Sequence, residues 1–319
     1  GEVDEAIDFL RYYSLQMLKN KGYNAKVILG GTRVKVKLGF QGSPGNRERI
    51  SQLMRPYGVF GVIAPFNFPV SISTGMSSGA MVTGNTVVFK PSSTGNMSML
   101  TGVMIFHFLR DAGIPPGVFN YVSGPGSVVG DELVTNPSVS GIVFTGSLEV
   151  GMGMIRKSAD LGQNKVFIAE MGGKNATIVS DSADLEGAAG GVVAAAFGFS
   201  GQKCSALSRV YVQSDVYERF IELLVERTKG IKVGNPLEPD VYMGPLISRE
   251  AYERFKWAVD LARKDGQIIW GGNTIRADEV YYVEPTIVKL SHGHELYKKE
   301  LFLPFLLVDT YRDFDEAIM

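Results

Sequence analysis

Cysteine and histidine are both scarce in this sequence. Cys204 is the only cysteine among 319 residues, so an internal disulfide is excluded. A lack of cysteine is typical of a reducing compartment, and we expect a cytoplasmic protein. None of the three histidines follows a glycine-rich strand end, which disfavours a cysteine hydrolase, because its thiol needs a histidine partner. His292 and His294 have no third ligand nearby, so no metal site is expected.

The sequence also lacks an excess of charge of one sign and any long apolar run. Its net charge is -1, whereas a nucleic-acid-binding protein is expected to carry a basic stripe. The most apolar stretch, 74–84, is interrupted by Gly, Ser and Thr, so we expect no membrane-spanning segment. From Asp313 the chain has the pattern of a helix start. We therefore expect it to be the interior of a longer protein.

A pattern of buried strand, glycine-containing turn and helix repeats from Tyr57 onwards. It predicts an α/β fold with a doubly wound parallel sheet, followed by a second α/β domain. The predicted strands are 59–64, 86–90, 118–122, 141–145, 165–169, 176–179, 209–213, 267–270, 282–289 and 305–308. The predicted helices include 94–112, 184–198, 215–229 and 248–265, with Asp215 as the cap of the third.

Residues before Tyr57 have a different pattern. Apolar residues at helical spacing predict a helix over 2–20, and the strict alternation of Arg33–Leu38 predicts a strand with one face in water. Residues 39–52 are predicted to be a connection. The expected domains are a first domain of 1–32 and 57–171, an excursion over 33–56 that pairs with another subunit, and a second domain of 172–319.

Cys204 is the first candidate for chemistry. A lone cysteine is often a small buried apolar residue, which is the alternative to a reactive one. Gly198 and Gly201 allow close approach of the backbone, and Lys203 adds a cation next to the thiol. The predicted strand 209–213 follows, so the cysteine stands where a turn enters rigid structure. A nucleophile is well held at such a point.

Other polar candidates lie at strand ends, where ligands bind in parallel sheets. Glu170 ends an apolar strand before two glycines and is a candidate general base, the alternative being a structural salt bridge. The amide of Asn67 could donate to an oxyanion or simply form a turn. Lys90 could contact a ribose or phosphate, or be a solvated strand end.

Two glycine turns are candidates for phosphate binding. The spacing of Gly124, Gly126 and Gly130 is one residue longer than the dinucleotide fingerprint, so ordinary tight turns are the alternative. A second glycine turn at 146–151 opens another helix, and helix N-termini bind phosphate.

Six sequence blocks, spread over nearly the whole chain in the same order, resemble the aldehyde dehydrogenase superfamily. They are Pro65–Pro69, Phe89–Ser92, Phe144–Gly151, Glu170–Asn175, Gly201–Cys204 and Glu300–Phe302. The resemblance implies a cofactor-binding domain with a doubly wound sheet, a catalytic domain, and a homodimer or higher homo-oligomer.

The resemblance also implies roles for individual residues. Cys204 would attack the aldehyde, Asn67 would stabilise the oxyanion, and Glu170 would activate water to hydrolyse the thioester. Lys203 and Ser205 would bind substrate. The residues implied to bind the nicotinamide cofactor are Ala64, Pro65, Phe66, Lys90, Ser92, Ser93, Gly126, Gly130, Phe144, Gly146, Ser147, Glu300 and Phe302.

Details within the blocks bear on substrate and cofactor. Ile7–Tyr13, Phe66 and 201–206 resemble family members that oxidise glutamate semialdehyde to glutamate. Ser93 stands where many NAD-specific members have a glutamate that binds the ribose hydroxyls, which leaves both NAD and NADP open. Leu303 replaces the glycine that usually follows the Glu-x-Phe motif.

Three other functions remain as alternatives. One is an NADP-dependent dehydrogenase of another small aldehyde, such as a hydroxyaldehyde or succinate semialdehyde. A CoA-acylating relative is disfavoured because such enzymes generally lack the base that Glu170 supplies. A non-catalytic scaffold on the same fold is disfavoured because it has no need of Cys204, Glu170 and Asn67 together.

Overall fold

Strands alternate with helices through residues 1–29, 48–276 and 280–318, the parts of the chain that this computed structural model describes. The chain divides into two units, Gly1–Glu170 and Met171–Met319. The assignment of a cofactor-binding role to the first and a catalytic role to the second remains a prediction.

The first unit contains helices on a central sheet. Its helices are α1 (Glu2–Lys19), α2 (Ser71–Val82), α3 (Asn96–Asp111), α4 (Asp131–Thr135) and α5 (Leu148–Asp160). Its strands are β1 (Ala25–Leu29), β2 (Glu48–Gln52), β3 (Val59–Ile63), β4 (Thr86–Lys90), β5 (Phe119–Tyr121), β6 (Val139–Thr145) and β7 (Val166–Glu170).

The central sheet of this unit is parallel, in the order β5-β4-β3-β6-β7. The chain builds the sheet outward from β3 in one direction, then returns to β3 and builds it in the other. This order confirms the predicted doubly wound sheet and creates a switch point between β3 and β6. Val62, Phe89 and Ile142 are fully buried within it and form part of its apolar core.

Helix α1 is fixed to the start of α2. The Glu2 carboxylate accepts hydrogen bonds from the backbone N–H groups of Val70 (2.5 Å) and Ser71 (3.2 Å). A negative charge at a helix N-terminus satisfies otherwise unpaired donors. A Cβ on Gly75 would lie 2.9 Å from the Phe9 ring, so the two helices approach closely where α2 has a small residue. The predicted helix over 2–20 is confirmed.

The second unit has its own sheet. Its helices are α6 (Leu185–Phe197), α7 (Tyr217–Lys229), α8 (Arg249–Asp265) and α9 (Phe314–Ile318). Its strands are β8 (Asn175–Val179), β9 (Leu207–Gln213), β10 (Gln267–Trp270), β11 (Thr274–Arg276), β12 (Tyr282–Val283), β13 (Thr286–Lys289) and β14 (Phe305–Tyr311).

The main sheet of the second unit has the order β10-β13-β14-β9-β8. Strands β13, β14, β9 and β8 are parallel, and the edge strand β10 runs antiparallel to β13. Val210, Leu306 and Leu307 are fully buried in this sheet, as expected for strands covered on both faces. The second α/β domain is thereby confirmed. Among the described helices, none is both long and apolar enough to cross a bilayer.

Two predicted elements differ from the structure. Residues 48–52 were predicted as part of a connection but form β2, which pairs antiparallel with β1 in the register Val27 to Ile50. That pairing depends on a partner distant in sequence. The predicted strand 282–289 divides at Pro285, which cannot donate a ladder hydrogen bond, into β12 and β13. The predicted strand Arg33–Leu38 lies outside the described residues.

The predicted cap of α7 is also wrong. Asp215 lies in a 3-10 turn, Ser214–Val216, and the residue that precedes α7 is Val216, without a side-chain cap. The 3-10 turn displaces the helix start by two residues, because its tighter winding occupies the position that a cap would need. Ser248, in contrast, caps α8 through its Oγ, which accepts from the Ala251 N–H.

Candidate active site

In the first unit, the switch point of the sheet brings predicted cofactor residues to one edge. Ala64, Pro65 and Phe66 follow β3, and Gly146 and Ser147 follow β6, its neighbour. The Ala64 N–H donates to the carbonyl of the last residue of β4 (3.1 Å), which ties the turn after β3 to the adjacent strand. In open α/β sheets ligands bind in the crevice at such a point.

The turn after β6 is constrained on both sides. A Cβ on Gly146 would lie 2.5 Å from the ring of Phe144, a buried residue, so glycine is required there. The Gly146 N–H donates to the carbonyl oxygen of Glu170 (3.1 Å). The hydroxyl of Ser147 accepts from the Val150 N–H (3.3 Å) and caps α5. Ser147 is exposed, so the positive end of the α5 dipole faces solvent.

Lys90 is buried at the end of β4, with 3% of its surface exposed. Its ammonium donates to the carbonyl of Pro91 (3.1 Å), and burial lowers the Lys90 pKa. Just beyond it, the Ser92 hydroxyl accepts from the Thr94 N–H (3.0 Å), and Ser93 is exposed. The alternative of a solvated strand end for Lys90 is therefore wrong.

The first glycine turn contains one glycine that its backbone requires and two that it does not. Gly124 has a φ of +151°, and a Cβ there would lie 2.6 Å from Val129. Gly126–Gly130 is a π-helical turn that leads into α4. A Cβ on Gly126 or Gly130 would meet no described atom within 4 Å. Packing therefore does not explain these two glycines, and their role in cofactor binding stays a prediction.

The two candidate catalytic residues of the first unit, Asn67 and Glu170, differ in their exposure to solvent. Asn67 is buried, with 5% of its surface exposed, in the segment between β3 and α2. Glu170 is the last residue of β7 and is exposed, and it pairs in register with Thr145 at the end of β6. Its carboxylate thus stands at the carboxyl edge of the sheet, where the predicted base was expected.

In the second unit, Cys204 is exposed on a turn that is anchored to the sheet. The turn is closed by the Ala206 N–H, which donates to the carbonyl of Lys203 (3.0 Å). The side-chain amide of Asn175, the first residue of β8, donates to the carbonyls of Cys204 (2.7 Å) and Ala206 (2.8 Å). The thiol is therefore presented by a rigid backbone, and the alternative of a buried apolar cysteine is wrong.

The backbone that leads into this turn is strained. Phe199, Ser200 and Gly201 have φ values of 58°, 57° and 66° in succession. Non-glycine residues in the left-handed region each cost about 1 kcal/mol or more. A Cβ on Gly201 would lie 2.2 Å from the carbonyl oxygen of Leu303. Two segments of the unit thus meet backbone to backbone beside the cysteine turn, and only glycine fits between them.

The predicted substrate residues flank the thiol. Ser205 is exposed, and Lys203 is half-buried. The Lys203 ammonium and the Tyr242 hydroxyl lie 3.4 and 3.5 Å from the position that a Cβ on Gly198 would occupy. A glycine at 198 leaves the space into which both polar groups extend.

Glu300 lies in a cradle formed by two glycines. Its Oε1 accepts from the Gly173 N–H (3.2 Å), and a Cβ on Gly172 would lie 1.9 Å from its Oε2. Burial raises the Glu300 pKa, an effect opposed by the Gly173 hydrogen bond and by the charges of Lys174 and Arg254.

The segment after Glu300 has a conformation of its own. Phe302 has a φ of 58°, and Leu303 is buried in the apolar core. The leucine that departs from the family pattern therefore has a packing role.

Sequence reasoning assigned no role to three residues of this site. Asn175 and Lys174 lie in the block 170–175, so the motif itself could have pointed to them. Arg254, on α8, had no local sequence signal that could have pointed to it. Its contact is with a residue distant in sequence, because its Nε donates to the carbonyl of Leu301 (2.7 Å), 47 residues along the chain.

The first α/β unit is doubly wound and has polar residues at its switch point, and the second has an exposed cysteine on an anchored turn. These two features define the class of protein to which the chain belongs. The chain belongs to the aldehyde dehydrogenase family, whose sequence profile, described as "Aldehyde dehydrogenase family", matches residues 1–319.

Several known proteins are similar to this chain. A 1-pyrroline-5-carboxylate dehydrogenase of Anoxybacillus flavithermus is 39% identical over 326 aligned positions, which cover 100% of this chain and 59% of that protein. The crystal structure of a 1-pyrroline-5-carboxylate dehydrogenase from Thermus with bound NAD has a TM-score of 0.84 at 34% identity, covering 99% of this chain and 58% of that one.

A third similar protein is proline utilization A from Bdellovibrio bacteriovorus, with a TM-score of 0.87 at 38% identity over 99% of this chain and 31% of that one. The chain thus spans 59% of the length of the first of these relatives.

Proposed function

We propose that the protein containing this chain oxidises an aldehyde to a carboxylic acid with NAD or NADP, and that the aldehyde is glutamate semialdehyde. The observation that carries the proposal is the exposed Cys204 on a turn held by Asn175, in a chain that belongs to the aldehyde dehydrogenase family. The substrate is inferred from relatives named 1-pyrroline-5-carboxylate dehydrogenase.

In the proposed reaction, the Cys204 thiolate attacks the aldehyde carbon and forms a C–S bond, while the carbonyl oxygen becomes an oxyanion. The Asn67 amide and the Cys204 N–H donate to that oxyanion, and each such donor contributes about 3 kcal/mol in comparable sites. A nicotinamide cofactor, held by the residues named below, would supply the acceptor for the hydride that leaves the thiohemiacetal carbon. Glu170 then takes a proton from water, which hydrolyses the thioester and releases the acid and the thiolate.

The residues that would hold the cofactor have suitable chemistry. The exposed N-terminus of α5 with Ser147 offers donors to a pyrophosphate. Lys90, Ser92 and Ser93 would contact the adenosine ribose. Glu300 would accept from the hydroxyls of the nicotinamide ribose. The other proposed contacts are Ala64, Pro65, Phe66, Gly126, Gly130, Phe144, Gly146 and Phe302.

The proposal extends to substrate and assembly. Lys203 supplies a cation and Ser205 a hydroxyl beside the thiol, a combination that suits a substrate carboxylate. We propose a cytoplasmic homodimer or higher homo-oligomer, with no nucleic-acid or membrane partner.

The test is an assay of the natural full-length protein on glutamate semialdehyde and on a panel that includes succinate semialdehyde and a hydroxyaldehyde, with NAD and NADP in parallel. We expect the highest kcat/KM with glutamate semialdehyde and no oxidation by Cys204→Ala, which should still bind cofactor. Oxidation by Cys204→Ala at the wild-type rate would refute the mechanism. Higher kcat/KM with another aldehyde would refute the substrate assignment.

A further inference from the structure

The segment 300–304 of the second unit is fixed at both of its ends. At the first end, the Glu300 carboxylate accepts a hydrogen bond from the Gly173 N–H (3.2 Å). Near the other end, the carbonyl oxygen of Leu303 lies so close to Gly201 that a Cβ there would be 2.2 Å from it. The segment therefore connects the seat of the carboxylate with the turn that carries the thiol.

The middle of this segment has a backbone conformation that its own sequence disfavours. Phe302 has a φ of 58°, in the left-handed region that bulky L-residues rarely adopt. The five residues Glu-Leu-Phe-Leu-Pro include no glycine that could take this conformation without strain. Such strain persists only where surrounding structure holds the residue in place. The conformation of Phe302 therefore depends on contacts made from outside the segment.

Arg254 makes such a contact from α8. Its Nε donates to the carbonyl oxygen of Leu301 (2.7 Å), which belongs to the peptide group directly before Phe302. The next residue on the helix, Phe255, is buried in the same apolar core as Leu301, so both ends of this hydrogen bond start from packed positions. The donor is charged, and charge-assisted hydrogen bonds are about twice as strong as neutral ones. The Arg254 contact thus opposes the strain at Phe302.

The orientation of the 301–302 peptide group is coupled to the conformation of Phe302. Rotation of a peptide group changes the ψ of the residue before it and the φ of the residue after it, which is how type I and type II turns differ. A rotation that returned Phe302 to negative φ would also turn the Leu301 carbonyl away from α8. Arg254 can therefore donate to this carbonyl only while Phe302 stays left-handed.

We propose that Arg254 is a positioning residue that locks the 301–302 peptide group, and so keeps Glu300 and Phe302 in the one arrangement that receives the nicotinamide half of the cofactor. This rests on the proposed function, which assigns Glu300 to the nicotinamide ribose and Phe302 to the cofactor. Arg254 itself need not touch the cofactor, since it acts through the backbone.

The expected size of the effect follows from the population of the locked arrangement. When only a fraction of the molecules has the binding-competent conformation, the apparent dissociation constant rises by the inverse of that fraction. If loss of the Arg254 hydrogen bond leaves about one molecule in ten competent, binding weakens about tenfold. The adenosine half of the cofactor has its proposed contacts at Lys90, Ser92 and Ser93, so its binding should not change.

The test is isothermal titration calorimetry of the natural full-length protein and its Arg254→Met variant. The ligands are NADH, NADPH and two compounds that represent the adenosine half alone, ADP and adenosine 2′,5′-bisphosphate. We expect Arg254→Met to bind the preferred dinucleotide about tenfold more weakly and its adenosine half within about twofold of the wild type. Equal weakening of both ligands, or unchanged affinity for the dinucleotide, would overturn the proposal.

Two further variants separate the hydrogen bond from the charge. In Arg254→Gln the amide nitrogen occupies the position of the arginine Nε, so the donor is kept without the charge. In Arg254→Lys the charge is kept, but a carbon atom occupies that position. We expect the glutamine variant to bind the dinucleotide more tightly than the lysine variant. The reverse order would overturn the proposal, and this comparison remains available if Arg254→Met does not fold.

The matched control is Arg263→Met, a change on the same helix. Arg263 donates through Nη2 to the carbonyl of Gly272 (3.1 Å), so this variant loses the same charge and a similar contact with the backbone. Gly272 lies in the connection between β10 and β11, which carries no proposed site residue. Arg263→Met should therefore bind all four ligands like the wild type.

The thiol gives a second measurement that a general loosening of the unit would change. The turn of Cys204 is held by Asn175, so its alkylation by iodoacetamide without cofactor should proceed in Arg254→Met at the wild-type rate. Faster alkylation would mean that Arg254 stabilises the whole unit, which would overturn the positioning role. If the wild type binds neither NADH nor NADPH, the proposed function fails, an outcome distinct from dinucleotide binding that is insensitive to Arg254.

Discussion

The side-chain amide of Asn175 donates a hydrogen bond to the carbonyl oxygen of Cys204 across 2.7 Å. A second bond from the same nitrogen reaches Ala206 (2.8 Å), and the Asn175 carbonyl accepts from the Ser208 hydroxyl (3.1 Å). The first residue of β8 thus fixes the turn that carries the thiol. The shape of this turn is set by its own sheet, before any ligand binds.

Replacing Asn175 by Ala should loosen this turn. Two carbonyl groups lose their donor, which we expect to destabilise the protein by about 1–3 kcal/mol in urea unfolding and to lower the oxidation rate more than cofactor binding. Because Cys204 is the only cysteine, the rate of alkylation by iodoacetamide reports directly on the turn. Asn273→Ala, at a surface amide that donates to Glu284, is the control. Equal alkylation rates in both variants would contradict the anchoring role.

Gly201→Ala should be strongly destabilising. The new Cβ would lie 2.2 Å from the Leu303 carbonyl oxygen, at a residue whose φ is +66°. We expect a loss of more than about 3 kcal/mol in the free energy of unfolding. Gly153→Ala is the matched control, since its Cβ would meet no described atom within 4 Å inside α5, and it should stabilise by about 0.5–1 kcal/mol. Similar melting temperatures for the two variants would show the backbone contact to be absent.

Glu170→Gln should separate the two halves of the reaction. Without a base to activate water, hydride transfer proceeds once and the thioester persists. Stopped-flow absorbance is expected to show a burst of reduced cofactor, up to one equivalent per site, followed by turnover reduced by about 10²–10⁴-fold. Steady turnover at the wild-type rate would exclude Glu170 as the base.

The buried ammonium of Lys174 should make stability depend on pH. Its pKa is lowered from 10.5 to about 8 in the folded state, which corresponds to about 3 kcal/mol. Below pH 8 both the folded and the unfolded state hold the proton, and the full penalty applies. Between about pH 8 and 10.5 the unfolded state binds more protons, so the penalty decreases as pH rises. Lys174→Met should therefore raise the free energy of unfolding at pH 7 and have little effect near pH 10.5.

Urea unfolding at the two pH values provides the measurement for Lys174. Lys264→Met serves as the control, because its exposed charge should change stability little at either pH. A Lys174→Met protein that is less stable than the wild type at pH 7 would mean that its ammonium is not a buried, unpaired charge.

Ser93→Glu should change cofactor preference. Ser93 is exposed shortly after β4, and a carboxylate there would repel a 2′-phosphate while accepting from ribose hydroxyls. We expect the ratio of kcat/KM for NAD over NADP to rise about tenfold or more. Ser93→Gln, uncharged and of similar size, should change the ratio much less. A ratio unaffected by the glutamate would place residue 93 away from the ribose.

The local sequence pattern was sufficient to predict those helices and strands whose signals lie within one segment of the chain. The helix at 2–20 and the strand 86–90 follow from periodicity, and the structure agrees. The strand at 48–52 could not be predicted from the local pattern, because its hydrogen bonds are made with β1, a segment distant in the sequence. The cap at Asp215 failed because the following residues wind as a 3-10 turn.

In the candidate site, too, some features follow from the sequence and others only from the tertiary structure. By itself, the sequence determined the class of the sheet, parallel and doubly wound, and the placement of Cys204, Glu170 and Lys90 at strand ends or turns, because those depend on periodicity and on glycine. Only the tertiary structure decided that Glu300 is seated on Gly173, 127 residues away, with the Lys174 ammonium buried beside them. Contacts over such separations leave no periodic trace in the chain, since they arise from the packing of whole elements against one another.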